Sequence, residues 1–387
     1  MPNVSPSPGR TVLPVCDLRP QIAELRRELD DAIDRVVDRG WFILGEECRS
    51  FEAEFANYLG TKHVIGVANG TDALHLSLRA LGVGVGDRVL TQPNSANPTA
   101  AAITSTGATP EFVDVDPTSG QIDLDAVADR LSRGGIAALM PVHLYGRLGG
   151  IEPLMEVAHR YGVPVVEDAA QAHGARRDGR AAGVFGRLGA FSFYPSKNLG
   201  AFGDGGAIAT DDVELDQHLR LLRNYGQSDR YRHVSAGINS RLDELQAAVL
   251  RVKLPHLERW NARRREIARS YDRALAGLPI LLPPPASGEH SVHHLYVVRV
   301  ARRQVVRERL LAAGIGSEIH YPAPIHLQPA YSHLELPVGS FPHAELRAEQ
   351  ILSLPLFPEM TAAQVEQVVV ALRAALAAEP HPAEVNV

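Results

Sequence analysis

The stretch Phe191-Ser-Phe-Tyr-Pro-Ser-Lys-Asn-Leu-Gly-Ala-Phe-Gly-Asp-Gly-Gly206 contains the most informative residue of the chain, Lys197. The stretch opens with a short apolar run that predicts a strand, and a glycine-rich segment follows the lysine. A loop lysine is usually a solvated surface residue. Here the aromatic residues before Lys197 and the glycines after it argue against a solvated surface. We therefore expect a buried amine a few residues beyond a strand.

A second apolar segment upstream, Val163-Pro-Val-Val-Glu-Asp168, predicts another strand and ends in a carboxylate. Taken alone, Asp168 is better explained as a strand-end residue that caps the following helix. Taken with Lys197, it suggests a site for pyridoxal 5'-phosphate. An amine can bind the aldehyde of this cofactor, and a carboxylate can keep its pyridine nitrogen protonated. Lys197 would then also act as the general base and acid of a proton shift.

Further groups that could hold this cofactor lie in three places: after the strand predicted at 63–67, in the apolar run before Lys197, and after Asp168. Gly70 permits close backbone approach, and the amides after it, including that of Thr71, open a helix N-terminus that favours a phosphate. Ser192 can add a hydroxyl, and Gln171 could donate to the ring oxygen. Structural interpretations stay open for Gly70 and Thr71, as a strand-to-helix turn, and for Ser192, as an inward-facing strand residue.

From about residue 62, short β-branched runs alternate with helical patterns, which predicts parallel pairing and a three-layer α/β domain. The predicted strands are 63–67, 88–91, 111–115, 137–142 and 163–167. The predicted helices between them are 71–81, 97–106, 124–131 and 151–161. Ligands of such sheets bind beyond the carboxyl ends of the strands, where Thr71 and Asp168 lie.

The pattern along the chain predicts two domains with flexible ends. We expect a flexible arm at 1–12, a large cofactor-binding domain at 13–255, a smaller α+β domain at 256–378 and a flexible tail at 379–387. Helical spacing is also present over 21–39, over about 242–275 and over 361–377.

The bulk composition excludes several classes of partner. The 387 residues are 45% apolar and carry a net charge of −6 without a basic stripe, so we expect no nucleic-acid partner. No apolar run reaches the roughly 18 residues of a membrane span, and Met1 to Arg10 lack the apolar core of a signal peptide. Cys16 and Cys48 make neither a disulfide framework nor a zinc cluster. We expect a cytoplasmic protein without a metal site.

Five ordered motifs resemble the DegT/DnrJ/EryC1/StrS sugar aminotransferases, a fold-type I branch of the pyridoxal-phosphate enzymes. They are Asn69-Gly-Thr-Asp-Ala-Leu74, Glu167-Asp-Ala-Ala-Gln-Ala-His-Gly-Ala175, Phe193-Tyr-Pro-Ser-Lys-Asn-Leu-Gly200, Gly237-Ile-Asn-Ser-Arg-Leu-Asp-Glu-Leu-Gln246 and His320-Tyr-Pro-Ala-Pro-Ile-His-Leu-Gln328. The resemblance runs from about Leu18 to Leu376. It implies a large three-layer domain with a mostly parallel mixed sheet, as in aspartate aminotransferase, and a smaller α+β C-terminal domain.

The resemblance also implies a role for each site residue. Lys197 is the Schiff-base lysine, Asp168 meets the pyridine nitrogen and Gln171 meets the ring hydroxyl. The implied phosphate ligands are Gly70, Thr71 and Ser192. Asn239 would reach the phosphate of the cofactor in a second subunit, which implies a homodimer with shared sites. The residues alone also permit Asn239-Ser240 as a helix N-cap. His320 and Tyr321 would border the sugar-nucleotide pocket.

The implied reaction is transfer of the amino group of L-glutamate to a nucleotide-linked 3-keto-6-deoxy sugar, with dTDP as the expected nucleotide. Glutamate leaves as 2-oxoglutarate, the cofactor becomes pyridoxamine 5'-phosphate, and the product is an amino sugar for antibiotic or glycan biosynthesis. Alternatives are a 4-keto-sugar or cyclitol aminotransferase, and a regulatory relative without catalysis. A family dehydratase would carry histidine in place of Lys197.

One stretch departs from the family pattern. Members usually place an aromatic residue over the cofactor ring, whereas Gln92-Pro-Asn-Ser-Ala-Asn-Pro98 has Ala96 at that position. Either another side chain covers the ring or the pocket is wider on that face. Because this loop borders the substrate in the family, Ala96 also bears on which ketone is accepted.

Overall fold

Helices and strands alternate along the first half of the chain, as the sequence pattern predicts. The computed structural model describes residues 12–285 and 289–377. The α-helices of this part of the chain are α1 Arg19–Glu24, α2 Arg26–Arg39, α3 Glu46–Leu59, α4 Gly70–Ala80, α5 Asn97–Ser105, α6 Leu124–Ser132, α7 Ile151–Arg160, α8 Val213–Leu222, α9 Glu244–Lys253, α10 Leu257–Leu275, α11 Arg303–Ala312, α12 Pro342–Gln350 and α13 Ala362–Ala377. Its strands are β1 His63–Val67, β2 Arg88–Thr91, β3 Thr109–Phe112, β4 Ala138–Leu139, β5 Val166–Asp168, β6 Arg176–Arg177, β7 Arg180–Ala181, β8 Leu188–Ser192, β9 Gly206–Thr210, β10 Gln227–Asp229, β11 Arg232–His233, β12 Ile280–Leu281, β13 Glu289–His290, β14 Tyr296–Val300 and β15 Ile351–Leu354.

The main sheet is mixed and mostly parallel, which confirms the predicted fold class. Its order is β3-β2-β4-β5-β8-β9-β1, and parallel bridges from Leu139 to Val165 and from Val142 to Asp168 join β4 to β5. Strand β9 runs antiparallel to both of its neighbours, β8 and β1, whereas the other pairings are parallel. The alternation of strands and helices alone did not predict this reversed strand.

Helices cover both faces of the sheet, which accounts for the continuous apolar runs of its strands. Apolar side chains of α4, α5 and α8 pack on one face. Those of α3, α6, α7 and α9 pack on the other. This is the predicted three-layer arrangement, and it leaves the carboxyl ends of β5 and β8 open toward the loops that follow them.

Some predicted element bounds are wrong. The third strand ends at Phe112, before the predicted 115, because Val115 pairs with Ile122 instead of with the sheet. The fourth strand is only Ala138–Leu139. The helix predicted over 21–39 is broken at Leu25 into α1 and α2.

A second apolar core lies around the antiparallel sheet β12-β14-β15 and helices α10, α11 and α13, and Leu13 packs into it. The domain boundary near residue 255 stays a prediction. The predicted arm, apart from Val12, and the predicted tail at 379–387 lie outside the described residues. Among the described helices, we find none with the length and apolar character needed to cross a bilayer.

Candidate active site

Asp168 is the last residue of β5 and is only 5% exposed. Its Oδ2 accepts a hydrogen bond from Thr99 Oγ1 at 2.9 Å, and its Oδ1 accepts one from the Ala170 amide at 3.2 Å. Burial raises the pKa of Asp168, although the Thr99 hydrogen bond opposes this shift. Within the described residues, no cationic side chain forms an ion pair with this carboxylate. Asp168 is therefore suited to a cationic group on a bound ligand, such as a protonated pyridine nitrogen.

Lys197 lies in the loop between β8 and β9, and its side chain is half-buried. Its amide donates to the Tyr194 carbonyl at 2.9 Å, and the Ala201 amide closes the loop on the Phe193 carbonyl at 2.8 Å. Burial lowers the pKa of Lys197 to about 8, and the charge of Asp168 opposes this shift. The structure thus brings the two predicted catalytic residues into each other's electrostatic field, with an amine that is partly neutral near pH 7.

The three predicted phosphate ligands meet at the start of α4. Gly70 is the first residue of α4, and Asn69 caps the helix by accepting from the Asp72 amide at 2.8 Å. A Cβ at Gly70 would lie 2.6 Å from Ser192 Cβ and 3.2 Å from Ser192 Oγ. Gly70, Thr71 and Ser192 therefore border one small cradle at the N-terminus of an 11-residue helix, which is suited to an anion.

Gly70→Ala is expected to weaken cofactor binding about tenfold, or about 1.4 kcal/mol. The added methyl cannot fit without moving Ser192 or the start of α4. Either movement would displace a group that is predicted to donate to the phosphate, the Ser192 hydroxyl or the first amides of α4. Titration of apoprotein with pyridoxal phosphate would give the dissociation constants. Gly84→Ala is the control, because the nearest atom to its added Cβ lies 3.9 Å away. Equal affinities for Gly70→Ala and the wild type would contradict the cradle.

Gln171 connects the large sheet to the predicted substrate residues. Its Oε1 accepts from the Tyr145 amide at 2.7 Å, and its Nε2 donates to the Tyr321 hydroxyl at 3.1 Å. Tyr145 holds a left-handed backbone conformation with φ of 62°, and its hydroxyl donates to the His320 carbonyl. A strained non-glycine residue at such a site is consistent with a functional constraint.

His320 and Tyr321, which are predicted to border the sugar-nucleotide pocket, have different contacts. Tyr321 reaches Gln171 with its side chain. The His320 ring instead contacts Ser353 Oγ at 2.8 Å and Glu318 Oε2 at 3.3 Å, so only its carbonyl faces Tyr145. A substrate contact of the His320 side chain stays a prediction.

Asn239 lies in the segment that precedes α9. It is exposed, and it pairs by a backbone bridge with Asn224. The alternative in which Asn239-Ser240 caps a helix is wrong, because the N-cap of α9 is Asp243. Ser240 Oγ instead accepts from the Ala68 amide at 3.0 Å, which fixes this segment beside the end of β1. The contact of Asn239 with a second subunit stays a prediction.

Ala96 precedes α5 as its N-cap residue, is half-buried and has no side-chain capping bond. One turn later, Thr99 faces Asp168, and the Ser95 and Thr99 hydroxyls lie 2.8 Å apart. The loop therefore borders the Asp168 carboxylate. What covers the cofactor ring at Ala96 stays open.

Thr99→Val is expected to slow the reaction with an amino donor about three- to tenfold. Valine keeps the shape of threonine but removes the hydrogen bond to Asp168, which corresponds to roughly 1 kcal/mol. Single-turnover rates with glutamate would measure the effect. Thr99→Ser keeps the hydroxyl and should retain most of the rate. A Thr99→Val rate equal to that of the wild type would show that the hydrogen bond has no role.

Two histidines near the site are buried. His143 Nε2 contacts Glu167 Oε2 at 2.7 Å, and Glu167 also accepts from the amides of Gly183, Phe185 and Gly186. His173 packs against the rings of Phe191 and Phe193, and burial lowers its pKa to about 3. His173 is thus neutral near pH 7, and neither of its buried ring nitrogens has a hydrogen-bond partner among the described residues.

Taken together, the site contains a partly neutral amine, a buried carboxylate that forms no ion pair within residues 12–285 and 289–377, and a glycine cradle at a helix N-terminus. These groups fit the aldehyde, the pyridine nitrogen and the phosphate of pyridoxal 5'-phosphate. The fit rests on the burial of the Asp168 carboxylate, which favours a cationic ligand group beside it, and on the space at Gly70 that a Cβ would fill.

Comparison with known proteins agrees with this fit. Residues 23–373 match the DegT/DnrJ/EryC1/StrS aminotransferase family. The dTDP-3-amino-3,4,6-trideoxy-alpha-D-glucose transaminase of Streptomyces venezuelae is 49% identical over 363 residues, which cover 93% of this chain and 95% of the relative.

Two solved structures extend the comparison. DesV of S. venezuelae, solved in complex with a ketimine intermediate, has a TM-score of 0.92 and 48% identity, over 94% of this chain and 98% of DesV. NtdA of Bacillus subtilis, solved with bound cofactor PMP, has a TM-score of 0.87 and 29% identity, over 96% of this chain and 87% of NtdA. The chain therefore belongs to the DegT/DnrJ/EryC1/StrS aminotransferase family, a family of pyridoxal-phosphate-dependent enzymes.

Proposed function

We propose that the protein transfers the amino group of L-glutamate to C3 of a dTDP-linked 3-keto-6-deoxy sugar in the cytoplasm. The half-buried Lys197 amine in the field of Asp168 is the observation that carries the aminotransferase chemistry. The sugar and the position of the ketone are supported by the 49% identical S. venezuelae relative, whose name specifies a dTDP-3-amino sugar. The product would be an amino sugar for antibiotic or glycan biosynthesis.

Bound pyridoxal phosphate supplies a carbon that carries the amino group between substrates and a ring that withdraws electrons from the bond broken beside it. The side chains of this chain do the rest. Lys197 Nζ, with its pKa near 8, can take a proton from the donor Cα and deliver it to the cofactor carbon that carries the amino group. Asp168 would hold a proton on the pyridine nitrogen, and Gln171 would hold the ring hydroxyl.

A homodimer with shared sites is part of the proposal, because Asn239 is exposed beside a group of large apolar side chains. The exposed fractions are 64% for Trp41, 46% for Phe42, 45% for Tyr225 and 41% for Phe202. Three hydrogen bonds connect these residues to segment 238–246, which contains Asn239. The Glu244 amide donates to the Phe42 carbonyl, the Tyr225 amide donates to the Ile238 carbonyl, and the Phe202 amide donates to the side-chain Oε1 of Gln246. Such a patch is typical of a protein interface.

Steady-state kinetics with glutamate and dTDP-linked 3-keto and 4-keto sugars would test the proposal. We expect parallel double-reciprocal lines, and formation of 2-oxoglutarate from glutamate alone in an amount equal to the enzyme. A requirement for both substrates before any product forms would contradict the two half-reactions. A preference for the 4-keto sugar or for a cyclitol would contradict the assignment of the ketone to C3. Activity with neither class would support the regulatory alternative.

A further inference from the structure

Lys253 is a buried lysine outside the predicted site. It is the last residue of α9, and it is 1% exposed. Its Nζ donates to the Gly200 carbonyl at 2.7 Å and lies 4.7 Å from the centre of the Phe202 ring. Among the described side chains, no carboxylate lies within ion-pair distance of this ammonium group. Burial lowers the pKa of Lys253 to about 8.

Burying an ammonium group that contacts only one carbonyl and one ring face is unfavourable for the stability of the fold. Removing a charge from water costs several kcal/mol, and apolar replacements of buried charges are often neutral or stabilising. The stability of the fold therefore gives no clear reason for a lysine at this position. The group that Lys253 binds suggests another reason.

Gly200 lies three residues after Lys197, in the same loop. The Ala201 amide closes the base of the loop on the Phe193 carbonyl, and the Lys197 amide donates to Tyr194. A Cβ at Gly200 would lie 2.2 Å from the Pro195 carbonyl oxygen, so the two limbs of the loop touch at this glycine. A group that fixes the Gly200 carbonyl therefore fixes the limb that follows the Lys197 amine.

The residues on either side of Gly200 are also held from α9 and α10. Asn198 Nδ2 donates to Asn261 Oδ1 at 2.8 Å and to the Val292 carbonyl at 3.0 Å. The Phe202 amide donates to Gln246 Oε1 at 2.8 Å. The contact of Lys253 with Gly200 lies between the contacts of Asn198 and Phe202 along the loop. Lys253 belongs to α9, which starts five residues after Asn239.

We propose that Lys253 is a positioning residue for the reaction, which holds the Gly200 limb so that the Lys197 amine keeps its orientation. The inference rests on the role of Lys197 in the proposed function. Losing the contact would leave the amine in place but less well aligned with the atoms between which it moves a proton. Misalignment of this kind slows a reaction without weakening substrate binding equally.

The test compares Lys253→Met, which keeps the length of the side chain, with the matched control Lys62→Met at an exposed position. Both variants are loaded with pyridoxal phosphate, and their circular dichroism and melting temperatures are recorded. We expect Lys253→Met to lose about tenfold in the single-turnover rate with glutamate, with less than about a twofold change in apparent glutamate affinity. The pH midpoint of the visible cofactor band should also shift, whereas Lys62→Met should match the wild type.

Lys253→Gln provides the second comparison, because its amide can still donate toward Gly200. A rate between those of Lys253→Met and the wild type would support the hydrogen bond. A folded Lys253→Met variant with a wild-type rate and an unchanged pH midpoint would overturn the proposal. Failure of both Lys253 variants to fold would also overturn it, since the residue would then serve the fold. If the wild type itself does not react with glutamate, the proposed function fails, while the pH midpoint still tests the positioning of Lys197.

Discussion

Lys197→Ala should abolish measurable turnover, with a loss on the order of 10⁴-fold or more. The change removes both the amine that attacks the cofactor aldehyde and the base that moves the proton. Alanine has no polar group that could replace either function. The purified variant should also lack the visible band that arises when the cofactor is bound covalently to the protein. Single-turnover rates with glutamate and the absorbance spectrum would measure the two effects separately.

The environment of Lys197 explains why this loss should be so large. With a pKa near 8, roughly a tenth of the Lys197 amine is neutral at pH 7, compared with less than a thousandth of a solvated lysine. An exposed lysine elsewhere could not take over, and Lys62→Ala serves as the control. A Lys197→Ala protein that retains both the band and the glutamate reaction would show that another amine binds the cofactor.

The sequence predicts helices α4 to α7 to within one residue at each end, whereas the bounds of β3 and β4 are predicted less well. Helix α3 was not predicted, because it buries Glu47 and Glu52 among its apolar residues and so obscures the helical pattern. Glu52 is tolerated because Arg223 and Arg220 contact its carboxylate and the Gly66 amide donates to it at 2.9 Å. The two arginines lie far from Glu52 in the sequence, so only the folded chain shows why this charge can be buried.

The same distinction applies to the candidate site. Asp168 ends β5 and Gly70 lies three residues after the end of β1, so the strand pattern and the rule for ligands of α/β sheets predict their position. Thr99 approaches Asp168 only because α5 passes beside β5, and Lys253 reaches the Lys197 loop from a helix more than fifty residues later. Contacts of this kind depend on lateral packing, about which periodicity carries no information.

Asp168→Asn is expected to lower the rate of the glutamate reaction by about 10²- to 10³-fold, the size of losing one preorganised electrostatic contact. Asparagine keeps the shape of the side chain but removes the charge that would stabilise a protonated pyridine nitrogen. Electron withdrawal by the ring would then weaken, while cofactor binding through Gly70 and Ser192 should change much less. Stopped-flow rates with glutamate and cofactor titrations would separate the two. Asp204→Asn, an exposed residue of the glycine-rich segment, is the matched control.

A double-mutant cycle with Thr99 makes this prediction more specific. If Thr99 acts through the Asp168 carboxylate, Thr99→Val should cost little once Asp168 is already asparagine, and the two effects should not add. Additive losses would mean that Thr99 acts on the site independently of Asp168. A rate for Asp168→Asn within threefold of the wild type would remove Asp168 from the chemistry altogether. The buried carboxylate would then belong to the fold, and the site would need another source of charge opposite the pyridine nitrogen.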